Sequence, residues 1–132
     1  MTVLFAVNGT LMRGLELNPN LLAAGGEFVA EATTQPIYRL WSIHDRHPAM
    51  LRVTSGGAAI ALELWRVSLA GLGQILLQEP PGLCVGKVQL ADQREVLGVL
   101  GEPFLVEGQL EITAYGGWRA YCAAQAAPTP HP

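Results

Sequence analysis

Phe5-Ala6-Val7-Asn8-Gly9-Thr10-Leu11-Met12-Arg13-Gly14 is the stretch on which the fold turns. The run from Thr2 to Val7 is apolar, β-branched and aromatic, the composition of a buried strand. Asn8-Gly9 ends it with a turn signal. A loop bounded by Gly9 and Gly14 follows at once. Such a loop can turn successive backbone N–H groups toward one point and bind a carboxylate or another anion. The competing reading is a plain strand-to-helix turn. It is not a P-loop, because Leu15 and Glu16 follow Gly14 where that motif needs Lys and Ser/Thr. Arg13 reads as solvated, with assistance to an anion as the alternative.

Working outward, Asn18-Pro19-Asn20 reads as a helix start, with Asn18 as N-cap and Pro19 at the first helical position. Gly25-Gly26 stops that helix early. The middle is strand-rich: Glu27 to Thr34, Ile37 to Ile43, Met50 to Thr54, and Ala58 to Val67. Gly56-Gly57 reads as a hairpin turn between the last two. Ser68 can cap a short helix carrying Leu69, Leu72, Ile75 and Leu76 on one face. Pro80-Pro81-Gly82 breaks it. Leu83 to Leu90 and Val96 to Leu100 read as strands joined by a turn at Ala91 to Arg94. Glu111 to Thr113 reads as extended or as a helix start, and Gly116 to Tyr121 as a final helical turn. The expected architecture is α+β, a curled mixed β-sheet or barrel with two or three short helices and mainly sequential hairpins. Residues 1–125 form one expected domain, and 126–132, with three prolines, a flexible tail.

Composition supports one packed domain. The chain has 132 residues, of which 50% are hydrophobic and 14% charged, against about 25% charged in typical soluble domains. Disorder is excluded for most of the chain. A net charge of −3 with one lysine leaves no basic stripe for nucleic acid or an anionic membrane. Few charges and many apolar residues predict a face covered by another chain, and a homo-oligomer is the simplest form of that expectation. Val3 to Val7 is too short for a signal peptide, and no apolar run reaches a membrane span. A cytoplasmic location is expected.

Among candidate chemical groups, Glu79 lies in Gln78-Glu79-Pro80-Pro81-Gly82, between an apolar helix and an apolar strand. It reads as a solvated loop glutamate. Facing a cavity, desolvation would raise its pKa and make it a general acid/base. Glu63, in an alternating Leu-Glu-Leu-Trp-Arg-Val strand, is expected to point outward beside Arg66. His44-Asp45-Arg46-His47 has no third ligand near it, so no metal or other cofactor is expected. Cys84 and Cys122 read as small buried hydrophobes. No nucleophile elbow is present.

The segment Phe5 to Gly14 resembles the opening of the γ-glutamylcyclotransferase-like superfamily, which begins with a strand and a Tyr-Gly-Ser/Thr-Leu loop. Gly9-Thr10-Leu11 match it, and Asn8 replaces the tyrosine. The resemblance implies that the backbone amides of Asn8, Gly9, Thr10 and Leu11 bind substrate. It also implies that Glu79, after the helix that follows a middle strand, is the catalytic acid/base. A fuller resemblance is to the C-terminal domain of allophanate hydrolase. It is carried by Gly9 to Asn18, Pro36 to Trp41, Leu51 to Trp65, Val85 to Asp92, and above all Ile112 to Tyr121 with its Gly-Gly-Trp-Arg-Ala-Tyr.

In allophanate hydrolase a separate amidase domain with a Ser-Ser-Lys apparatus cleaves allophanate. Its C-terminal domain is associated with decarboxylating the carboxycarbamate product through a Gly-Ala-His loop. No amidase domain is found in these residues, and Leu11 stands where the histidine belongs. The resemblance therefore implies a cyclotransferase-type site on a small amide or carboxylate, with Tyr38, Tyr115 and Arg119 as wall or anion-binding residues. One alternative is a non-catalytic partner or sensor module for a separate amidase subunit. Another is decarboxylation with His44 or His47 in place of the lost histidine.

Overall fold

A computed structural model describes residues 1–126. Its elements are β1 (Thr2–Val7), α1 (Asn18–Ala23), β2 (Glu27–Thr33), β3 (Tyr38–Ile43), β4 (His47–Arg52), β5 (Ala61–Ser68), α2 (Leu69–Gln78), β6 (Leu83–Gln89), β7 (Glu95–Gly101), β8 (Leu110–Glu111) and α3 (Trp118–Ala126). The expected tail lies outside the described residues except for Ala126, which ends α3.

β1 is central, as its composition requires. It pairs antiparallel with β5, Val7 opposite Glu63, and parallel with β7, Ala6 opposite Gly98. Gly98 has no room for a side chain, because a Cβ there would lie 2.6 Å from Val88 Cγ2. The five-stranded sheet runs β2-β5-β1-β7-β6, and a second sheet runs β4-β3-β8. Phe5, Leu40, Met50, Ile60 and Leu64, drawn from both sheets and the connection between them, belong to one buried core.

The fold is the expected α+β mixed sheet with three helices, but the barrel does not close. The five-stranded sheet curls until its edges meet at one end only, where Thr34 bridges Leu90 and Ala91 N–H donates to Thr33 O at 2.9 Å. Along the rest of their length β2 and β6 are unpaired with each other. Hairpins are also fewer than expected. Gly56-Gly57 does not join paired strands but carries the chain from the smaller sheet to the larger. A Cβ on Gly57 would lie 2.7 Å from the Ile37 backbone, so glycine allows that crossing.

Two local readings change. Asn18 does not cap α1: its side chain is buried and donates to Leu11 O at 2.8 Å, which fastens the helix to the first loop. Ser68 does cap α2, its Oγ accepting from Gly71 N–H at 3.0 Å. However, the buried face of α2 is Gly71, Leu72 and Ile75, while Leu69 and Leu76 are exposed. The cause is the close approach of α1, since a Cβ on Gly71 would meet Ala24 O at 2.5 Å. Leu22, Leu69, Leu76 and Leu77 are consequently exposed on α1 and α2. Among the described residues, no helix is long and apolar enough to cross a membrane.

Removing the cap tests this account of α2. Ser68→Ala is expected to lower stability by about 1 kcal/mol, read from the urea midpoint at unchanged slope.

Candidate functional site

The first loop is held from both ends. Met12 N–H donates to Gly9 O at 3.0 Å and Leu17 N–H to Thr10 O at 2.9 Å. The Asn8 side chain donates to Val99 O at 3.0 Å. Gly9 packs under Pro48, whose Cδ would lie 2.6 Å from a Cβ at that position. The N–H groups of Gly9, Thr10 and Leu11 donate to no protein acceptor among the described residues. These are the unspent donors that an anion or a carbonyl oxygen would use.

Glu79 faces that loop. It follows the last turn of α2 in extended conformation, and its side chain lines a small cavity with Asn8, Gly9, Thr10, Leu11, His47 and Pro48. Burial pushes its carboxyl up to about 7. The cavity measures about 20 Å³, room for one water. It adjoins a wider groove of about 340 Å³ lined by Thr10, Glu16, Leu17, Arg46, His47 and Pro80. Arg46 and Glu16 are exposed there, with no ion-pair partner among the described residues.

The other expected wall residues lie elsewhere. Tyr38 is completely buried, and its hydroxyl accepts from Gln89 N–H at 2.9 Å, so it is a structural bolt near the closed end of the sheet. Tyr115 and Arg119 line a separate groove of about 480 Å³, together with Met12, Glu31, Glu63 and Trp118. His44 stays out of the Glu79 cavity, its backbone N–H donating to the Gln109 side chain, whereas His47 lines the cavity. Among the described residues no cluster of three His, Cys, Asp or Glu could hold a metal ion. Cys122 is exposed rather than buried, Cys84 is half-buried, and desolvation raises both thiols.

The largest correction concerns Glu63. It is buried, not turned outward beside Arg66. One carboxylate oxygen accepts from Arg13 N–H (2.9 Å) and Trp65 Nε1 (3.1 Å). The other accepts from Arg13 Nε and Arg119 Nη2, each at 3.1 Å. Desolvation acts to raise this carboxyl, but the donors prevail and hold it below its ordinary value. Arg13 is therefore not simply solvated. It pairs with Glu63 and Glu31, and its guanidinium lies 3.6 Å from the Phe28 ring centroid. Alternation misled the sequence reading because β5 is an interior strand of its sheet, buried on both faces from Leu62 to Trp65. The available signal was a carboxylate among Leu62, Leu64 and Trp65, where an unpaired charge would be costly.

The fold is that of the γ-glutamylcyclotransferase-like domains. It is shared with an AIG2-like protein from Mus musculus at TM-score 0.59 and 16% identity, covering 80% of this chain and 82% of that one. Residues 3–123 match the allophanate hydrolase C-terminal domain family, and the chain belongs to that family. It is 58% identical to c4763, a uropathogenic Escherichia coli-specific protein, with TM-score 0.92 and coverage of 93% of this chain and 97% of that one. The allophanate hydrolase of Kluyveromyces lactis superposes at TM-score 0.89 and 26% identity, covering 95% of this chain and 22% of that one. The urea amidolyase of Saccharomyces cerevisiae is 28% identical over 127 residues. That match covers 91% of this chain, which spans only 7% of the length of that relative.

Two measurements test the electrostatics. Glu63→Gln removes the shared acceptor of two guanidiniums and is expected to cost about 3 kcal/mol in urea denaturation. For Glu79 the folded value lies above the ordinary 4.5, so the unfolded chain loses this proton first as pH rises. Its contribution to stability therefore falls between about pH 4.5 and 7, by at most on the order of 3 kcal/mol, and is flat above. Urea midpoints across that range should show the slope in the wild type and lose it in Glu79→Gln.

Proposed function

We propose that this domain binds and converts a small carboxylate-bearing amide by cyclotransferase-type acid/base chemistry at the cavity between the first loop and Glu79. The observation that carries this reading is a carboxyl pushed up to about 7 by burial, in one small cavity with a loop that has three unspent backbone N–H groups. A group that titrates near neutrality can both accept and return a proton. The reacting carbonyl would enter the inner cavity and accept from the loop amides. The rest of the ligand would lie in the outer groove, its carboxylate on Arg46.

In the reaction, an amine within the substrate attacks the amide carbon and gives its proton to Glu79. The loop N–H groups stabilise the oxyanion of the tetrahedral intermediate. Glu79 then protonates the leaving nitrogen as the original C–N bond breaks. One C–N bond forms, one breaks, and the carboxyl returns to its starting state.

The placement of His47 on both the inner cavity and the outer groove favours a second reading, decarboxylation of carboxycarbamate with His47 replacing the histidine absent at Leu11. His44 has no such placement. The apolar surface of Leu22, Leu69, Leu76 and Leu77 supports a role beside a second copy of the chain or a separate amidase.

A thermal-shift panel separates these readings. It uses 5-oxoproline, γ-glutamyl dipeptides, malonate and biuret on wild type and Glu79→Gln. A ligand at about 100 times its Kd adds roughly 2.7 kcal/mol, a readable shift. Stabilisation by 5-oxoproline or a γ-glutamyl dipeptide, with dipeptide turnover lost in a folded Glu79→Gln, is the expected result. Stabilisation by malonate or biuret alone transfers the argument to His47. No shift with any compound removes the small-molecule reading.

A further inference from the structure

The groove of about 480 Å³ between β2, β5 and the start of α3 belongs to neither the Glu79 cavity nor its outer groove. We propose that it is a second small-molecule site, one that takes a carboxylate carried on an apolar or aromatic body and anchors it on Arg119. Its volume lies in the range of small-ligand sites, and its walls combine a few polar groups with apolar surface, as such sites do.

The apolar part is supplied by Met12, Leu62 and Trp118, with Tyr115 half-exposed at the edge. The polar part is Arg119, and its position is fixed in advance. Nη2 donates to Glu63 and to Arg13 O, so one end of the guanidinium is tied down. Nε and Nη1 have no protein acceptor among the described residues, and Arg119 lines the groove. A ligand carboxylate would find donors already oriented and would not have to immobilise a free arginine.

Charge at the floor favours the same ligand. Two guanidiniums, Arg13 and Arg119, face the single buried carboxylate of Glu63. Glu63 has both oxygens fully engaged, so it positions Arg119 and has no part in proton transfer. The second acid, Glu31, is three-quarters exposed at the rim and is held by Arg13. A cationic ligand would have to approach two guanidiniums, and the rim acid Glu31 is already paired with Arg13.

The test is a two-dimensional NMR titration of the chain with phenylacetate, and with phenylacetamide as the uncharged analogue. Saturable shifts are expected at residues 31–33, 61–63 and 115–120, with phenylacetamide at least about tenfold weaker because it lacks the ionic contact. Arg119→Gln should weaken phenylacetate by a similar factor. Because that variant also loses a contact to Glu63, Thr33→Trp provides an independent block: it fills the groove from an exposed strand position and leaves the Arg13–Glu63–Arg119 cluster intact. Glu31→Gln should tighten binding. Phenylacetate binding that persists in Glu79→Gln shows that the two sites stand or fall separately. Shifts confined to residues 8–11 and 79, equal affinity for the amide, full binding in Thr33→Trp, or failure to saturate at millimolar ligand would each overturn the proposal.

Discussion

A single buried carboxylate holds the functional end of this domain together. Glu63 sits on a strand flanked by β1 and β2, in surroundings that would disfavour a lone charge. Its four donors come from the end of the first loop, from its own strand and from the last helix. Charge-assisted bonds from two arginines make the burial tolerable, and in return the carboxylate fixes where the loop ends and where α3 begins. Arg119 donates in addition to Arg13 O, so the two guanidiniums are joined through backbone as well as through the acid. The conformation of the loop is thus set by charge at one end and by packing under Pro48 at the other.

That arrangement divides the chemistry of the loop. Its first half, Gly9 to Leu11, leaves N–H groups unspent beside the cavity that Glu79 lines, while its far end spends its donor on Glu63. The two glutamates have opposite electrostatics for one reason, the supply of donors. Glu63 is saturated with them and is held below its ordinary value, whereas Glu79 has burial alone and rises. Desolvation opposed by donors leaves one carboxyl below its ordinary value, and desolvation unopposed lifts the other to about 7. Leu11, which stands where the resemblance places a histidine, continues the packed interior.

Much of this was legible in the sequence where local pattern and local structure coincide. β1, the glycine-bounded loop, the Ser68 cap, the β6–β7 hairpin and the α+β class all follow from short-range signals. Glu79 stood out as a lone acid between an apolar helix and an apolar strand, but Gln-Glu-Pro-Pro-Gly carries no trace of the cavity it lines. What stayed hidden depends on pairing between distant residues. Gly56-Gly57 has the composition of a hairpin turn, yet β5 finds its partners in β1 and β2. Asn18 has the composition of a cap, yet a carbonyl seven residues earlier takes its side chain. Glu63 would obey strict alternation only if its face of β5 were wet at that level, and both faces are buried from Leu62 to Trp65. Tyr115 and Arg119 lie close to the first loop in space, but on the side away from Glu79.

The incomplete closure of the large sheet leaves two edges that must avoid pairing with other molecules. Strand edges are templates for aggregation unless they are charged, kinked or short. β2 has two of these safeguards: Glu27 and Glu31 are exposed along it, and its register breaks between Phe28 and Ala30. β6 carries the exposed Lys87. The groove beside β2 is therefore open to a small molecule, while the strand that borders it is poorly suited to accept an extended peptide as a sixth strand. The same acidic residues keep a second copy of β2 from docking in register, because like charges would then face one another.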